Sequence, residues 1–141
     1  MRMRNTILAL LLSVTSLLAA EISLDYFTAK SDGKTITVSW KSSSERNLQR
    51  YEIERSGLDM TFKTIAQIEA KGSQSSYYYS DEDAFMKQND DNPTLTQQTK
   101  YSYRLKYVST DNTYTYSSPT NVSHSVSGVR RTWGMIKEMF R

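Results

Sequence analysis

An antiparallel β-sandwich of about seven short strands, followed by a short amphipathic C-terminal helix, is the fold class predicted by this 141-residue sequence. Three observations lead to it. Residues 35–40 and 101–107 alternate large apolar with polar side chains, the period of a strand that buries one face. Turn-forming residues separate such segments at the short intervals of an all-β domain. Beyond Ser127 the apolar period lengthens from two to that of a helix.

Residues 22–29 read as the first strand, and Asp32-Gly33 supplies the turn after it. Residues 35–40 send Ile36, Val38 and Trp40 to one face and three hydroxyl side chains to the other. Residues 42–47 are polar and predict a loop, with Leu48 plugging back onto the core. Tyr51 and Ile53 alternate with Glu52 and Glu54 in a third strand that Ser56-Gly57 ends. Residues 62–70 carry Phe62, Ile65, Ala66 and Ile68, a spacing that fits a short helix or a strand. Tyr77, Tyr78 and Tyr79 favour a strand over residues 75–80, because aromatic side chains suit a pleated surface.

Residues 81–98 make a connection longer than usual, with one helical turn expected at 84–88 before the Asp90-Asp91-Asn92-Pro93 breaker. A strand over 100–109 follows. Asp111-Asn112 then turns the chain into a hairpin partner over 113–117, and Ser118-Pro119 interrupts the pairing. In the tail, Val129, Trp133, Ile136 and Phe140 fall on one narrow stripe at about 100° per residue. Arg130, Lys137 and Arg141 cluster opposite, with Arg131 and Glu138 beside them, and Ser127 can cap the start. A helix of about three turns is not stable alone, so this one must dock on something.

Leu95 lies six residues before Tyr101, and Tyr101 opens an alternating strand after a turn. Together with Trp40 closing an earlier strand, residues 51–56 (Tyr-Glu-Ile-Glu-Arg-Ser) and residues 103–106 (Tyr-Arg-Leu-Lys), the pattern resembles a fibronectin type III domain. It most resembles variants in bacterial secreted proteins and spans about residues 22–126. The resemblance implies an immunoglobulin-like sandwich and a strand over 62–70, broken near Ile65. It also implies a core containing Trp40, Tyr51, Leu95, Tyr101, Tyr103 and Leu105, with the Tyr101 hydroxyl on nearby backbone. Members of that family mostly act as spacers and binding modules.

Arg2 and Arg4 precede an apolar run over residues 7–20, shorter than the roughly 20 residues that span a bilayer. With Ala19-Ala20 at its end this reads as a secretory signal over residues 1–20, although Leu18 is a poor −3 residue; retention as an anchor is the alternative. The expected location is therefore the periplasm, the cell surface or the exterior. The chain has no cysteine, so a single hydrophobic core must stabilise the domain over 21–126. Residues 21–128 hold 12 Lys/Arg against 14 Asp/Glu, a net −2, whereas the tail from 129 holds four basic residues and one acid, a net +3. The slightly acidic body removes any case for nucleic-acid binding and directs attention to the tail.

Candidate chemistry is sparse. His124 is the only histidine, and in a strand its neighbours Ser123 and Ser125 point to the other face, so no nucleophile–base pair is expected. Nothing matches a nucleophile turn or a phosphate-cradling loop, and no cofactor is expected. Asp81, Asp83, Asp90 and Asp91 could offer oxygens to a hard cation, but they lack the turn glycine and regular spacing of a tight calcium loop. Tyr78 and one of Tyr114 or Tyr116 are expected to face outward, where tyrosine gives rigid contact area for protein or sugar.

For the tail, Trp133, Ile136 and Phe140 with Arg130, Arg131 and Lys137 form the expected contact surface. Its partner is another envelope protein, a second copy, or a membrane surface. The leading expectation is an exported, non-catalytic module that makes protein contacts at the cell envelope. The alternative is a carbohydrate- or cation-binding module using the outward tyrosines and the acidic 81–91 loop.

Overall fold

The computed structural model describes residues 19–84, 99–124 and Met139. Within them lie eight strands: β1 (Glu21–Ser31), β2 (Ile36–Arg46), β3 (Leu48–Ser56), β4 (Lys63–Glu69), β5 (Ser76–Asp81), β6 (Thr99–Ser109), β7 (Tyr114–Tyr116) and β8 (Thr120–His124). All pairings are antiparallel. One sheet has the order β1-β2-β5, and the other runs β4-β3-β6 with β7 and β8 both on the far edge of β6. The result is a two-sheet sandwich, one strand richer than expected because Pro119 divides the last strand into β7 and β8.

The alternation read from the sequence sets the inner faces. Ile36, Val38 and Trp40 of β2 meet Tyr51 and Ile53 of β3 and Tyr103 and Leu105 of β6, all with no exposed surface. Trp40 stacks on Tyr77 of β5 at 5.1 Å and meets Tyr51 edge-on at 5.3 Å. Tyr51 in turn meets Tyr107 edge-on at 5.8 Å, so one aromatic chain crosses between the sheets.

Two polar clusters close the core at its ends. At one, Glu45 Oε1 accepts hydrogen bonds from the hydroxyls of Tyr51 (2.8 Å) and Tyr77 (2.7 Å), and Oε2 accepts from the Gly72 amide (2.8 Å). Gly72 can make that approach because its φ of 103° is open to glycine. At the other end, Asp81 accepts from Arg55 Nη1 (2.6 Å) and from the Tyr103 hydroxyl (2.7 Å). Burial, reinforced by the adjacent carboxylates, pushes the Tyr51 and Tyr103 hydroxyls far above the ordinary tyrosine range.

One local expectation changes. Residues 42–46 belong to β2 rather than to a loop; only Asn47, at φ 55°, turns the chain into β3. Their polar side chains are used in the ladder: the Ser42 hydroxyl donates to the Ser75 carbonyl and the Ser43 hydroxyl to the Ser23 carbonyl. Leu48 is half-buried against the core. Residues 62–70 contain a strand, and its break falls at Ile65, where Ile53 pairs Ala66 but Glu54 pairs Thr64, leaving Ile65 as the extra residue of a bulge.

The Tyr101 hydroxyl donates to the Ala84 carbonyl at 2.6 Å, so it ties down backbone just after β5. Its expected companion Leu95, the 84–88 turn beyond Ala84, the segment 1–18 and the tail apart from Met139 all lie outside the described residues. Among the described residues no helix is long and apolar enough to cross a membrane.

Candidate contact face on the five-stranded sheet

The core residues of β3 and β6 fix what lies on the outside of their sheet. With Tyr51 and Ile53 inward, Arg50, Glu52 and Glu54 point outward; with Tyr103, Leu105 and Tyr107 inward, Arg104 and Lys106 do. The register sets Glu52 opposite Lys106 and Glu54 opposite Arg104. Opposite charges placed directly across a pair attract, and here they close into contacts. Lys106 Nζ lies 3.0 Å from Glu52 Oε2, Arg50 donates to Glu52 Oε1 at 2.8 Å, and Arg104 Nε donates to Glu54 Oε2 at 2.6 Å. The two carboxylates are only 5% and 6% exposed, covered by the cations they bind. Burial alone would raise the Glu52 carboxyl, but hydrogen bonds from Lys106 and Arg50 outweigh it and hold the group below the usual carboxylate range. Lys106 is raised in return, chiefly by its hydrogen bond to Glu52.

Aromatic rings cover the cations. Tyr114 and Tyr116 are two residues apart on β7 and so share this outer face, their rings 5.6 Å apart at 70°. The Arg104 guanidinium lies 3.9 Å from the Tyr116 ring centre and 4.2 Å from that of Phe62, and Lys106 Nζ lies 4.6 Å from the Tyr114 ring. From Phe62 through Arg104 and Tyr116 to Lys106 and Tyr114, a ladder of alternating rings and cations crosses the sheet. Both tyrosines are exposed, at 56% and 42%, so the expectation that only one faces outward is corrected. Both must point the same way, because a strand repeats every two residues.

The other singled-out residues do not join this ladder. Tyr78, 77% exposed, lies on β5 of the three-stranded sheet, on the opposite face of the molecule. Asp81 is not an open loop ligand: it is 1% exposed and committed to Arg55 and Tyr103, a correction to its candidacy for a cation. Asp83 is exposed, and Asp90 and Asp91 lie outside the described residues. Among the described residues no three histidine, cysteine, aspartate or glutamate side chains gather as metal ligands would. His124 ends β8 opposite Thr99. Trp133, Ile136, Phe140, Arg130, Arg131 and Lys137 lie outside the described residues.

Phe62, Glu52, Glu54, Arg104 and Lys106 were not singled out by the sequence. A signal existed: Arg104 and Lys106 alternate with three inward aromatic or aliphatic residues, and Tyr114 and Tyr116 share a period-two face in the adjoining hairpin strand.

No protein-family model matches the chain, and comparison with curated proteins finds no match. Among solved structures, an Fn3-like protein from Clostridium thermocellum is 21% identical, with a TM-score of 0.47, over 75% of this chain and 94% of its own. A β-1,2-glucanase from Parabacteroides distasonis is 17% identical (TM-score 0.49) over 77% of this chain and 13% of its own. A pectate lyase from Pectobacterium carotovorum is 20% identical (TM-score 0.46) over 68% of this chain and 25% of its own. The chain thus spans a quarter or less of the length of each of these two enzymes.

Proposed function

We propose that this chain is a fibronectin type III-like, non-catalytic module of an exported protein that binds a protein partner through the outer face of its five-stranded sheet. The pairing of the fourth strand with the third, rather than with the fifth, and the Trp40–Tyr51 core support the domain type. The observation that carries the contact reading is the Phe62–Arg104–Tyr116 and Lys106–Tyr114 ladder. Tyrosine and arginine are the side chains enriched where interfaces derive their energy. Here Arg104 is already held by the buried Glu54 carboxylate and lies against the Tyr116 ring, so little side-chain freedom is lost on binding. The tail over residues 127–141 supplies attachment through Trp133, Ile136 and Phe140.

The same geometry favours protein over carbohydrate. A sugar ring stacks on a flat aromatic surface, whereas Tyr114 and Tyr116 stand at 70° and each has a cation against its ring. Photo-crosslinking from a benzophenone side chain at position 116, compared with position 78, tests the reading on the exported protein at its native location. A protein adduct at 116 and none at 78 is expected. Adducts at 78 alone, or binding to immobilised glycans that Tyr116→Ala abolishes, would overturn it.

A further inference from the structure

We propose that β7 is a pairing edge through which two copies of this chain join their five-stranded sheets antiparallel, about a two-fold axis at Thr115. This deepens the contact-module reading by naming a second copy as one partner, and it rests on that reading only in using the same face.

In an antiparallel ladder, residues alternate between those bonded to the neighbour and those whose N–H and C=O point away. Ser117 N donates to the Leu105 carbonyl at 2.8 Å, and Ser109 N donates to the Thr113 carbonyl at 2.8 Å. With Thr115 opposite Tyr107 between them, Thr113, Thr115 and Ser117 are the β7-side residues that bond β6. The backbone groups of Tyr114 and Tyr116 therefore aim outward from the sheet. Among the described strands β7 pairs with β6 alone, whereas β8 lies against β1 after the break at Pro119. Natural edges are blunted by short length, lysine, proline or a bulge; β7 is short and Pro119 ends it, but Tyr114-Thr115-Tyr116 itself carries no lysine, proline or bulge.

The edge is complementary to itself. Rotation about Thr115 sets Tyr114 opposite Tyr116 of the second copy, and Tyr116 opposite Tyr114. Each pair can exchange two backbone hydrogen bonds, and each places tyrosine beside tyrosine on the outer face. The nearest cations, Arg104 and Lys106, are already matched by Glu54 and Glu52, so two copies bring no unpaired like charges together. Three residues per copy make a small interface, so the expected dissociation constant is weak, on the order of 0.1 mM.

Sedimentation equilibrium of the exported protein from about 10 µM to 1 mM tests this, spanning that expected constant. A monomer–dimer equilibrium is expected. Tyr116→Pro removes an outward N–H while leaving the β6 bonds of Thr115 and Ser117 in place, and should weaken association at least about tenfold. If that proline disturbs the fold, Tyr114→Lys with Tyr116→Lys keeps every backbone bond to β6, sets lysines against each other and should also abolish the dimer. A monomer throughout the range overturns the pairing, as does a dimer indifferent to both variants. A dimer lost only on removing residues 125–141 assigns association to the tail and also overturns it. A monomeric protein that still crosslinks to another protein from position 116 refutes the pairing alone and leaves the contact-module reading intact.

Discussion

Replacing Asp81 by alanine should be among the costliest single changes in this domain. The carboxylate is 1% exposed and accepts from Arg55 Nη1 at 2.6 Å and from the Tyr103 hydroxyl at 2.7 Å. The Arg55 side chain is itself only 14% exposed. Removal of the Asp81 carboxylate leaves a guanidinium and a phenol without their acceptor in a site largely shielded from water. Breaking a buried ion pair from one side costs roughly 3–5 kcal/mol, and a stranded hydroxyl costs roughly 1–3 kcal/mol. The two share one oxygen, so they do not add in full, and about 4 kcal/mol is the expected loss. Urea unfolding followed by tryptophan fluorescence, to which the buried Trp40 contributes, reads it, with the slope unchanged and the midpoint lowered. Arg55→Met in the same background should recover part of the loss, because the second change removes the orphaned charge. An Asp81→Ala protein within about 0.5 kcal/mol of the parent, the ordinary range for surface changes, would show Asp81 to be solvated loop. It would also restore it as a cation ligand candidate.

Leu105→Ala, at a position with no exposed surface between Tyr103 and Tyr107, should lose about 2–5 kcal/mol by the same urea assay, and a loss below 1 would contradict its central place. Tyr101→Phe keeps the ring but loses the bond to the Ala84 carbonyl, so a drop of about 0.5–1.5 kcal/mol is expected; an unmoved midpoint would mean the bond does not hold that segment. Burial shifts Tyr51, Tyr77, Tyr103 and Tyr107 upward, Tyr77 and Tyr107 to about 12. Above about pH 10 the unfolded chain loses phenolic protons that the native one keeps. Stability should therefore be insensitive to tyrosine ionisation below pH ~10 and fall steeply above it, and a flat melting temperature across that window would contradict this. Calorimetry with calcium should show no micromolar binding, since Asp81 is occupied by Arg55; such binding, lost in Asp83→Ala, would revive the cation-binding reading.

The parts of the fold that were legible in the sequence are those governed by period and turn chemistry. Ile36, Val38 and Trp40, and Tyr103, Leu105 and Tyr107, alternate because one face of their strands is buried, and Asp111-Asn112 turns because Asn112 tolerates its φ of 65°. The hidden parts depend on partners far away in the chain. Ser42 and Ser43 look like loop residues until Ser75, just before β5, and Ser23 of β1 supply the carbonyls their hydroxyls bond. Asp81 looks like one more acid in an acidic run until Arg55, 26 residues earlier, is brought against it. Glu52 and Glu54 look like ordinary outward charges, yet strand β6 covers them with Arg104 and Lys106, and only β7 then places rings over those cations. Pairing across strands, which hydropathy does not encode, created the candidate face.

The most direct test of that face is amide hydrogen exchange on the protein in its native assembly against the purified protein alone. Tyr114 and Tyr116 offer outward amides at the sheet edge, beside the Arg104 and Lys106 ladder, and Tyr78 offers a reference on the opposite sheet. Slowed exchange across residues 114–116 in the assembly, with the rate at Tyr78 unchanged, is the predicted result. Equal exchange at 114–116 in both states, with new protection around Tyr78 instead, would contradict it.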